Sequence, residues 1–319
     1  MNYQEQLLKA IRKQLDPSKS INDELSSILN ISYDAAHRRV ALKSKFTIDE
    51  TLILANHFHI SLDNLHSNSN QVIIEKTNEI KSLKDMMLYF KEAANRIEKI
   101  ADQSTTLYYS AKDIPLFYFM EGTLLSKFKL YVWLQLLNPE ASETQFEKFI
   151  ITEAFMEHIQ KLKSVYNKAT IKEVWNDTTI NSSLQQIIYF YEADLITYQS
   201  ANALLKDLKR IISDLKKKAT QPNSNYAIYY NELILLNNNM LIETKTQITM
   251  FVPYTLLGYF ITEDKSSCEN ALNFFNQQII NSKPLNQSGI KDVNQFFNKM
   301  NRKIDYYSEL LNKQMDVFY

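Results

Sequence analysis

Glycine is scarce in this sequence: Gly122, Gly258 and Gly289 are the only three in 319 residues, and there are six prolines. These two residue types supply the backbone conformations of most tight turns. A chain with so few of them is expected to favour long helices over many short strands joined by hairpins. The composition therefore predicts a mainly α fold.

The same scarcity argues against nucleotide-dependent chemistry. With three widely separated glycines, the sequence contains no Gly-x-Gly-x-x-Gly or Gly-x4-Gly-Lys-[Ser/Thr] loop to hold phosphates. No combination of nucleophile, base and metal ligands is recognisable elsewhere in the chain. We therefore expect a protein that is not an enzyme and that uses no cofactor or metal.

The sequence carries no signal for export or membrane insertion. The first residues lack the basic and apolar regions of a signal peptide. Cys268 is the only cysteine, so an internal disulfide is excluded. The most apolar stretch, 114–137, is interrupted by Glu121, Lys127 and Lys129. These features predict a cytoplasmic protein without membrane contact.

The length of the chain allows two domains. A content of 45% hydrophobic and 23% charged residues is typical of folded globular proteins. The polar run at 66–71 indicates a linker. We predict a first domain at 1–68, a linker at 69–78 and a larger helical domain at 79–319.

The first domain has the apolar spacing of five short helices. Ser20 and Ser32 are placed to cap the second and third helices, the fourth is predicted at Thr47–Phe58, and Ser61–Leu65 adds a last short turn. Asn30 tolerates left-handed backbone geometry. It is therefore expected to form the tight turn between the second and third helices.

Residues 25–40 resemble the helix-turn-helix of the Cro/C1-type family, and residues 47–52 and 56–63 are similar to the fourth and fifth helices of that family. In the family, a small residue lies inside the first motif helix, a turn residue follows four positions later, and apolar residues form the inner face of the second helix. The matching residues here are Ser26, Asn30, Ile31, Ala36 and Val40. The resemblance implies a DNA-binding domain whose helix 32–40 enters the major groove.

Position on that helix then suggests individual roles. Four side chains are expected to face base edges: Tyr33, Asp34, His37 and Arg38. Four more residues are expected to hold phosphates: Ser32, Arg39, Lys43 and Lys45. The predicted function is a sequence-specific transcriptional regulator that binds double-stranded DNA.

The first domain has no net charge, because its eight basic and eight acidic residues cancel. A basic edge is left between Ala36 and Lys45, with two arginines, two lysines, His37 and no acid. Because this basic edge is small, one domain should bind DNA with modest affinity. We therefore expect a homodimer that presents two DNA-binding domains. Two features depart from the family: Ala41 and Leu42 replace a polar residue and a glycine, and Asp34 places a negative charge beside DNA.

Beyond residue 79 the apolar spacing indicates a series of helices at 79–100, 116–137, 143–161, 183–198, 201–218, 266–280 and 293–312. The amphipathic segment 79–100 is the expected subunit-joining helix. Apolar runs separated by 237–239 and 245–247 predict a small antiparallel β meander near 226–252. The predicted fold is thus mainly α: a five-helix helix-turn-helix domain and a larger helical domain with a small meander.

Other interpretations stay open. The large domain could be a stack of helical repeats that captures a peptide or partner protein, and a small-molecule or peptide effector could bind it. The first five helices could also be a packing module that binds nothing. His57, His59 and His66 lie near one helix end, but no cysteine or acidic cluster completes a metal site, so we expect ordinary histidines there.

Overall fold

The computed structural model describes residues 3–16, 18–58, 60, 62, 65, 72–102, 104–138, 145–221, 225–233 and 237–317. The chain divides into two compact units, Met1–Ile73 and Ile74–Tyr319.

The N-terminal unit contains the helices Tyr3–Gln14 (α1), Ile21–Leu29 (α2), Tyr33–Val40 (α3) and Ile48–His57 (α4). Their inner faces form one small core of buried side chains: Leu7, Leu8, Ile11, Leu25, Ala36, Leu54 and Phe58. Of the predicted fifth helix, positions 61, 63 and 64 lie outside the described residues, whereas Leu62 and Leu65 pack against this core.

Local capping explains where these helices begin. The Ser32 hydroxyl accepts a hydrogen bond from the Ala35 amide, and Thr47 with Glu50 forms a reciprocal capping box. Ser20 lies at the N-cap position of α2, but its side chain makes no capping hydrogen bond. The helix starts are therefore set by short-range signals, although Ser20 contributes backbone conformation only.

The C-terminal unit is built on an eight-stranded sheet, so the predicted mainly α fold is wrong for this unit. The strands are Glu75–Lys76 (β1), Thr106–Ala111 (β2), Thr170–Trp175 (β3), Tyr226–Tyr230 (β4), Met240–Glu243 (β5), Ile248–Pro253 (β6), Tyr259–Thr262 (β7) and Lys283–Pro284 (β8). Their order is β1-β7-β6-β5-β2-β3-β4-β8. The β2-β3 and β3-β4 pairs are parallel and all other pairs are antiparallel.

Helices connect and cover this sheet. They are Leu83–Ile100 (α5), Leu124–Leu137 (α6), Glu153–Lys168 (α7), Asn181–Glu192 (α8), Tyr198–Thr220 (α9), Lys265–Ile280 (α10) and Ile290–Val317 (α11), with short 3-10 helices at Leu116–Phe119 and Phe146–Lys148. Helices α6 and α7 lie between β2 and β3 in the chain, and α8 and α9 lie between β3 and β4. Parallel neighbours need such crossovers.

The crossovers explain why few glycines did not prevent a large sheet. A parallel pair is joined by helices, so it needs no tight hairpin turn. Even the hairpin from β5 to β6 closes without glycine: the Thr244 amide donates to the Gln247 carbonyl at 2.9 Å, and the Thr244 hydroxyl accepts from the Gln247 amide at 3.2 Å. A low glycine count therefore excludes neither strands nor the hairpins that join them.

The predicted meander near 226–252 is also corrected. Residues 226–230 form β4, which pairs with β3 and β8. Two strands, β2 and β3, separate it from β5. The antiparallel run consists instead of β5, β6, β7 and β1. The predicted linker 69–78 contains β1, which pairs with β7 through Glu75 and Lys76.

The two faces of the sheet are covered unequally. One face carries the large hydrophobic core, to which Leu107, Tyr109 and Ala111 of β2 belong. On the other face, Tyr108 and Leu241 pack against Phe275 of α10. Helix α5 packs against α7, and its buried side chains belong to the large core. The apolar face predicted to join subunits is therefore buried inside the unit.

A carboxylate lies at the centre of the large core. Glu173 of β3 is fully buried and accepts four hydrogen bonds, from the hydroxyls of Tyr118, Tyr166 and Tyr226 and from the indole nitrogen of Trp175, at 2.6–2.9 Å. Burial raises the pKa of Glu173, and these hydrogen bonds act in the opposite direction. The group ties β3 to β4, α7 and the 3-10 helix 116–119.

A second buried charge is Lys129 on α6. Its ammonium donates to the side-chain oxygen of Gln186 at 2.7 Å and lies 3.8 Å from a carboxylate oxygen of Asp113. Burial lowers the pKa of Lys129, and the charge of Asp113 opposes that shift.

Among the described helices, none has the length and hydropathy needed to cross a membrane.

Candidate nucleic-acid interface

The turn between α2 and α3 has the geometry that its sequence predicts. Asn30 adopts left-handed backbone angles, with φ 51° and ψ 47°. The Ile31 amide donates to the Ser26 carbonyl at 3.1 Å, and the Ser26 hydroxyl donates to the Ile31 carbonyl at 2.7 Å. Ser26 therefore holds the chain on both sides of the turn, a role that a larger apolar side chain could not fill.

The inner face of α3 is set by one small residue. Ala36 is fully buried against a core that includes Leu25 of α2 and Leu54 of α4. Helices can approach closely at such a contact because the side chain is small. With Ala36 facing inward, the first turn of α3 and the residues one turn later face solvent.

The predicted base-contacting residues lie together on this solvent-facing side. All four are exposed: Tyr33, Asp34, His37 and Arg38. They occupy positions i, i+1, i+4 and i+5, which share a helix face. The Tyr33 hydroxyl accepts a hydrogen bond from the side-chain amide of Asn22 at 3.3 Å. The tyrosine ring is therefore oriented by α2 while half of its surface is free.

Three of the four predicted phosphate-binding residues are also exposed: Ser32, Lys43 and Lys45. In the part of the chain that the structure describes, the ammonium groups of Lys43 and Lys45 take part in no ion pair. Arg39 differs. Its guanidinium donates twice to the Glu50 carboxylate, at 2.6 and 3.0 Å, and once to the Ala35 carbonyl at 3.1 Å.

Arg39 is therefore reassigned from a phosphate contact to a structural residue. Its side chain is 17% exposed and that of Glu50 is 16% exposed, and the pair joins α3 to α4. Partial burial alone would raise the pKa of Glu50, but hydrogen bonds from Arg39 and from the Thr47 amide, with the charge of Arg39, hold it below its ordinary value of 4.5. The exposed basic edge is thus smaller by one arginine than the sequence suggested.

We predict that Glu50→Gln lowers the stability of the N-terminal unit at neutral pH by about 1–2 kcal/mol, because a bidentate charged hydrogen bond is lost. Since the folded-state pKa of Glu50 is lowered, the wild-type advantage is complete above 4.5 and disappears as the pH falls through the lowered value. Hydrogen exchange of α3 and α4 amides, corrected for intrinsic rates at each pH, measures the difference. Asp49→Asn in the same helical turn is the control, and a pH-independent difference would contradict the assignment.

The loop after α3 is held by a residue of α1. The Gln4 side-chain amide donates to the carbonyls of Arg39 and Ser44, both at 2.8 Å, and its oxygen accepts from the Phe46 amide at 3.2 Å. Three backbone groups of the 39–46 segment are thereby satisfied by one side chain. Gln4 keeps the loop that carries Lys43 and Lys45 in place, although no local sequence signal pointed to it.

Leu42, in the loop after α3, has an unusual backbone conformation. Leu42 adopts a φ of 60°, a conformation that costs an L-residue about 1–2 kcal/mol and costs glycine almost nothing. Its side chain is 42% exposed. A glycine at this position would adopt the same backbone conformation without this cost.

We predict that Leu42→Gly stabilises the N-terminal unit by up to about 1 kcal/mol, because relief of the left-handed conformation outweighs the greater freedom of unfolded glycine. The matched control is Ala41→Gly, at an ordinary φ of −79°, which we expect to destabilise the unit by up to about 1 kcal/mol. Native-state hydrogen exchange of α3 compares the two variants. Equal destabilisation by both would contradict the argument.

Of the three histidines near the end of α4, only His57 is among the described residues. Within the described residues, no group of three or more histidine, cysteine, aspartate or glutamate side chains is arranged to hold a metal ion. His59 and His66 lie outside those residues. His57 packs edge-on against Phe58, with ring centres 4.9 Å apart.

Comparison of the chain with models of protein families, with curated proteins and with solved structures returns no match.

Proposed function

We propose that this chain is a sequence-specific regulator of transcription that binds double-stranded DNA through α3. The observation that supports this most directly is the arrangement of α2, the left-handed turn at Asn30 and α3. The arrangement buries Ala36 and leaves four polar or aromatic side chains exposed on one side of α3. A helix inserted in the major groove needs such a rigid support behind it and such a free face in front.

The proposed contacts follow from the chemistry of the exposed groups. Arg38 is free to donate two parallel hydrogen bonds to a guanine, and His37 to donate to a base or a phosphate. Asp34 is suited to accept from a cytosine amino group. Ser32, Lys43 and Lys45 then position the helix on the backbone. Arg39 is excluded from this set because Glu50 occupies its guanidinium.

A homodimer forms part of the proposal. The N-terminal unit has few free cations near α3, so a single unit supplies little electrostatic affinity for DNA. Two such units related by a two-fold axis would contact half-sites about 34 Å apart, or a multiple of that distance. Since the apolar face of α5 is buried within its own unit, the dimer contact must use another surface.

The test is selection of bound sequences by the full-length protein from a pool of random duplexes. We expect enrichment of one motif, composed of two inverted half-sites, and an affinity that falls steeply between roughly 50 and 200 mM salt. Failure to enrich any motif would overturn DNA recognition. If one asymmetric half-site is enriched and the protein sediments as a monomer at micromolar concentration, the homodimer is wrong and DNA recognition through α3 still stands.

The C-terminal unit is organised around a sheet, so it is not a stack of helical repeats of the kind that captures a peptide. The absence of enzymatic activity and a cytoplasmic location stay predictions.

A further inference from the structure

A cavity of about 640 Å³ lies within the C-terminal unit, between α5 and the antiparallel part of the sheet. Its walls come from β1, β2, β5, β6 and β7, from α5 and from the 3-10 helix 116–119. Binding sites for small organic molecules commonly measure about 300–1,000 Å³. The size alone permits a small-molecule ligand and excludes a folded peptide.

Part of the cavity lining is formed by buried apolar side chains. Phe117, Leu162, Met240, Phe251 and Ile261 line it, and each is a buried member of the large core. The rings and aliphatic groups offer dispersion contacts and no charge. A group that enters this far must therefore leave its water behind, which an ionic group does only at high cost.

Three tyrosine side chains contribute polar groups to the lining of the cavity. Tyr89, Tyr109 and Tyr259 line it from α5, β2 and β7. Burial raises the pKa of all three phenols, so they are neutral at physiological pH and available as hydroxyl donors.

The mouth of the cavity is charged but balanced. Glu75 of β1 forms a salt bridge with Arg96 of α5, and Lys99, Glu92 and Glu263 also lie at the edge. The Glu92 carboxylate accepts a hydrogen bond from the Asn78 side chain at 3.2 Å. Because both signs of charge are present, the mouth does not select a ligand of one net charge.

We propose that this cavity binds an uncharged, mainly apolar small molecule that presents one carbonyl or hydroxyl oxygen to the tyrosine hydroxyls. The apolar part of the lining disfavours an ionised ligand, the tyrosine hydroxyls provide a donor for one oxygen, and the volume lies in the range of small-molecule sites. The proposal is independent of DNA binding. The site also includes β1, the first element of the C-terminal unit, and the Thr77 and Tyr259 segments are joined by hydrogen bonds of 2.9 and 3.1 Å.

The probe is the neutral naphthalene ketone prodan, whose fluorescence shifts on transfer to an apolar site. Titration into the full-length protein is expected to give saturable one-site binding with a blue shift. Naphthoate, which has a similar ring and a charged carboxylate, is expected to bind at least tenfold more weakly. Absence of saturable prodan binding, or preference for naphthoate, would overturn the proposal.

Two variants locate the probe. Ala93→Trp fills the cavity from α5 and is expected to abolish binding, whereas Leu88→Trp, at an exposed position of the same helix, is its matched control. Tyr259→Phe keeps the ring and removes one hydroxyl, so we expect about a five- to tenfold loss. If neither Ala93→Trp nor Tyr259→Phe changes binding, the probe lies elsewhere and the assignment is wrong. If only Ala93→Trp weakens binding, the cavity is the binding site but Tyr259 donates no hydrogen bond to the ligand.

Discussion

Arg38→Ala is expected to weaken binding to a selected operator by roughly 5- to 150-fold, which corresponds to the about 1–3 kcal/mol of one bidentate contact to a base. The loss should fall on specificity: the variant should no longer distinguish the operator from a duplex changed at the base pair that Arg38 reads. Binding to unrelated DNA should change far less, because its affinity comes from phosphate contacts. Titration of operator and mismatched duplexes at fixed salt measures both quantities.

The structure makes this variant easy to interpret. Within the described residues, the Arg38 guanidinium takes part in no hydrogen bond or ion pair, and the side chain is exposed. The Arg38 carbonyl, which accepts from the amides of Lys43 and Ser44 at 2.8 and 3.2 Å, is retained in alanine. Arg12→Ala on α1 removes the same exposed charge away from the basic edge and is the control. Equal losses in the two variants would mean that Arg38 acts through net charge and does not read a base.

Glu173→Leu is expected to lower the free energy of unfolding of the C-terminal unit by about 4 kcal/mol or more. The substitution leaves three phenol hydroxyls and one indole N–H without their common acceptor, and each buried orphan costs about 1–3 kcal/mol. The hydroxyls of Tyr118 and Tyr226 also contact each other at 2.9 Å, which offsets part of the loss. Glu269→Leu, at an exposed position of α10, is the control and should have little effect.

Urea unfolding followed by tryptophan fluorescence reports on this unit alone, because Trp133 and Trp175 are the only tryptophans of the chain. If Glu173→Leu does not fold, Glu173→Gln keeps the shape and a neutral acceptor and tests the same site. A stability within about 1 kcal/mol of wild type for both variants would contradict a central role for the carboxylate.

The difference in stability between wild type and Glu173→Gln should depend on pH. Because the folded-state pKa of Glu173 lies above its ordinary value of 4.5, the unfolded chain releases this proton at lower pH than the folded protein. The contribution of Glu173 to stability is therefore complete below pH 4.5 and declines as the pH rises through the raised value. The stability of wild type relative to Glu173→Gln should fall over that interval, and a rise would contradict the direction of the shift.

Parts of the N-terminal unit could be predicted because their signals are short-range. Ser32 and Ala35, or Thr47 and Glu50, are three residues apart and form their contacts within one helical turn. Asn30 sets its own backbone conformation. The spacing of apolar residues placed Ala36 on the inner face and Arg38 on the outer one. Such contacts depend little on the rest of the chain.

The interior strands of the sheet gave a weaker signal. In β2 nearly every residue is buried, and in β3 burial is almost continuous from Ile171 to Trp175. Strands covered on both faces lose the alternation of polar and apolar residues that identifies a strand. Glu173 added to the difficulty, since a charged residue occupies a position of the buried face, and three of its four hydrogen-bond donors come from other elements.

The sequence around Asn30 determined the turn between α2 and α3 and the exposed face of α3. The scarcity of glycine, in contrast, predicted a mainly α fold, which the eight-stranded sheet contradicts. Only the tertiary structure decided that helices act as crossovers between parallel strands, that Glu50 occupies Arg39, and that α5 closes one wall of a cavity. The physical reason is distance along the chain. Tyr108 and Glu243 are hydrogen-bonded although they are 135 residues apart, and no local pattern encodes such a pair because each partner acquires its role only when the sheet assembles.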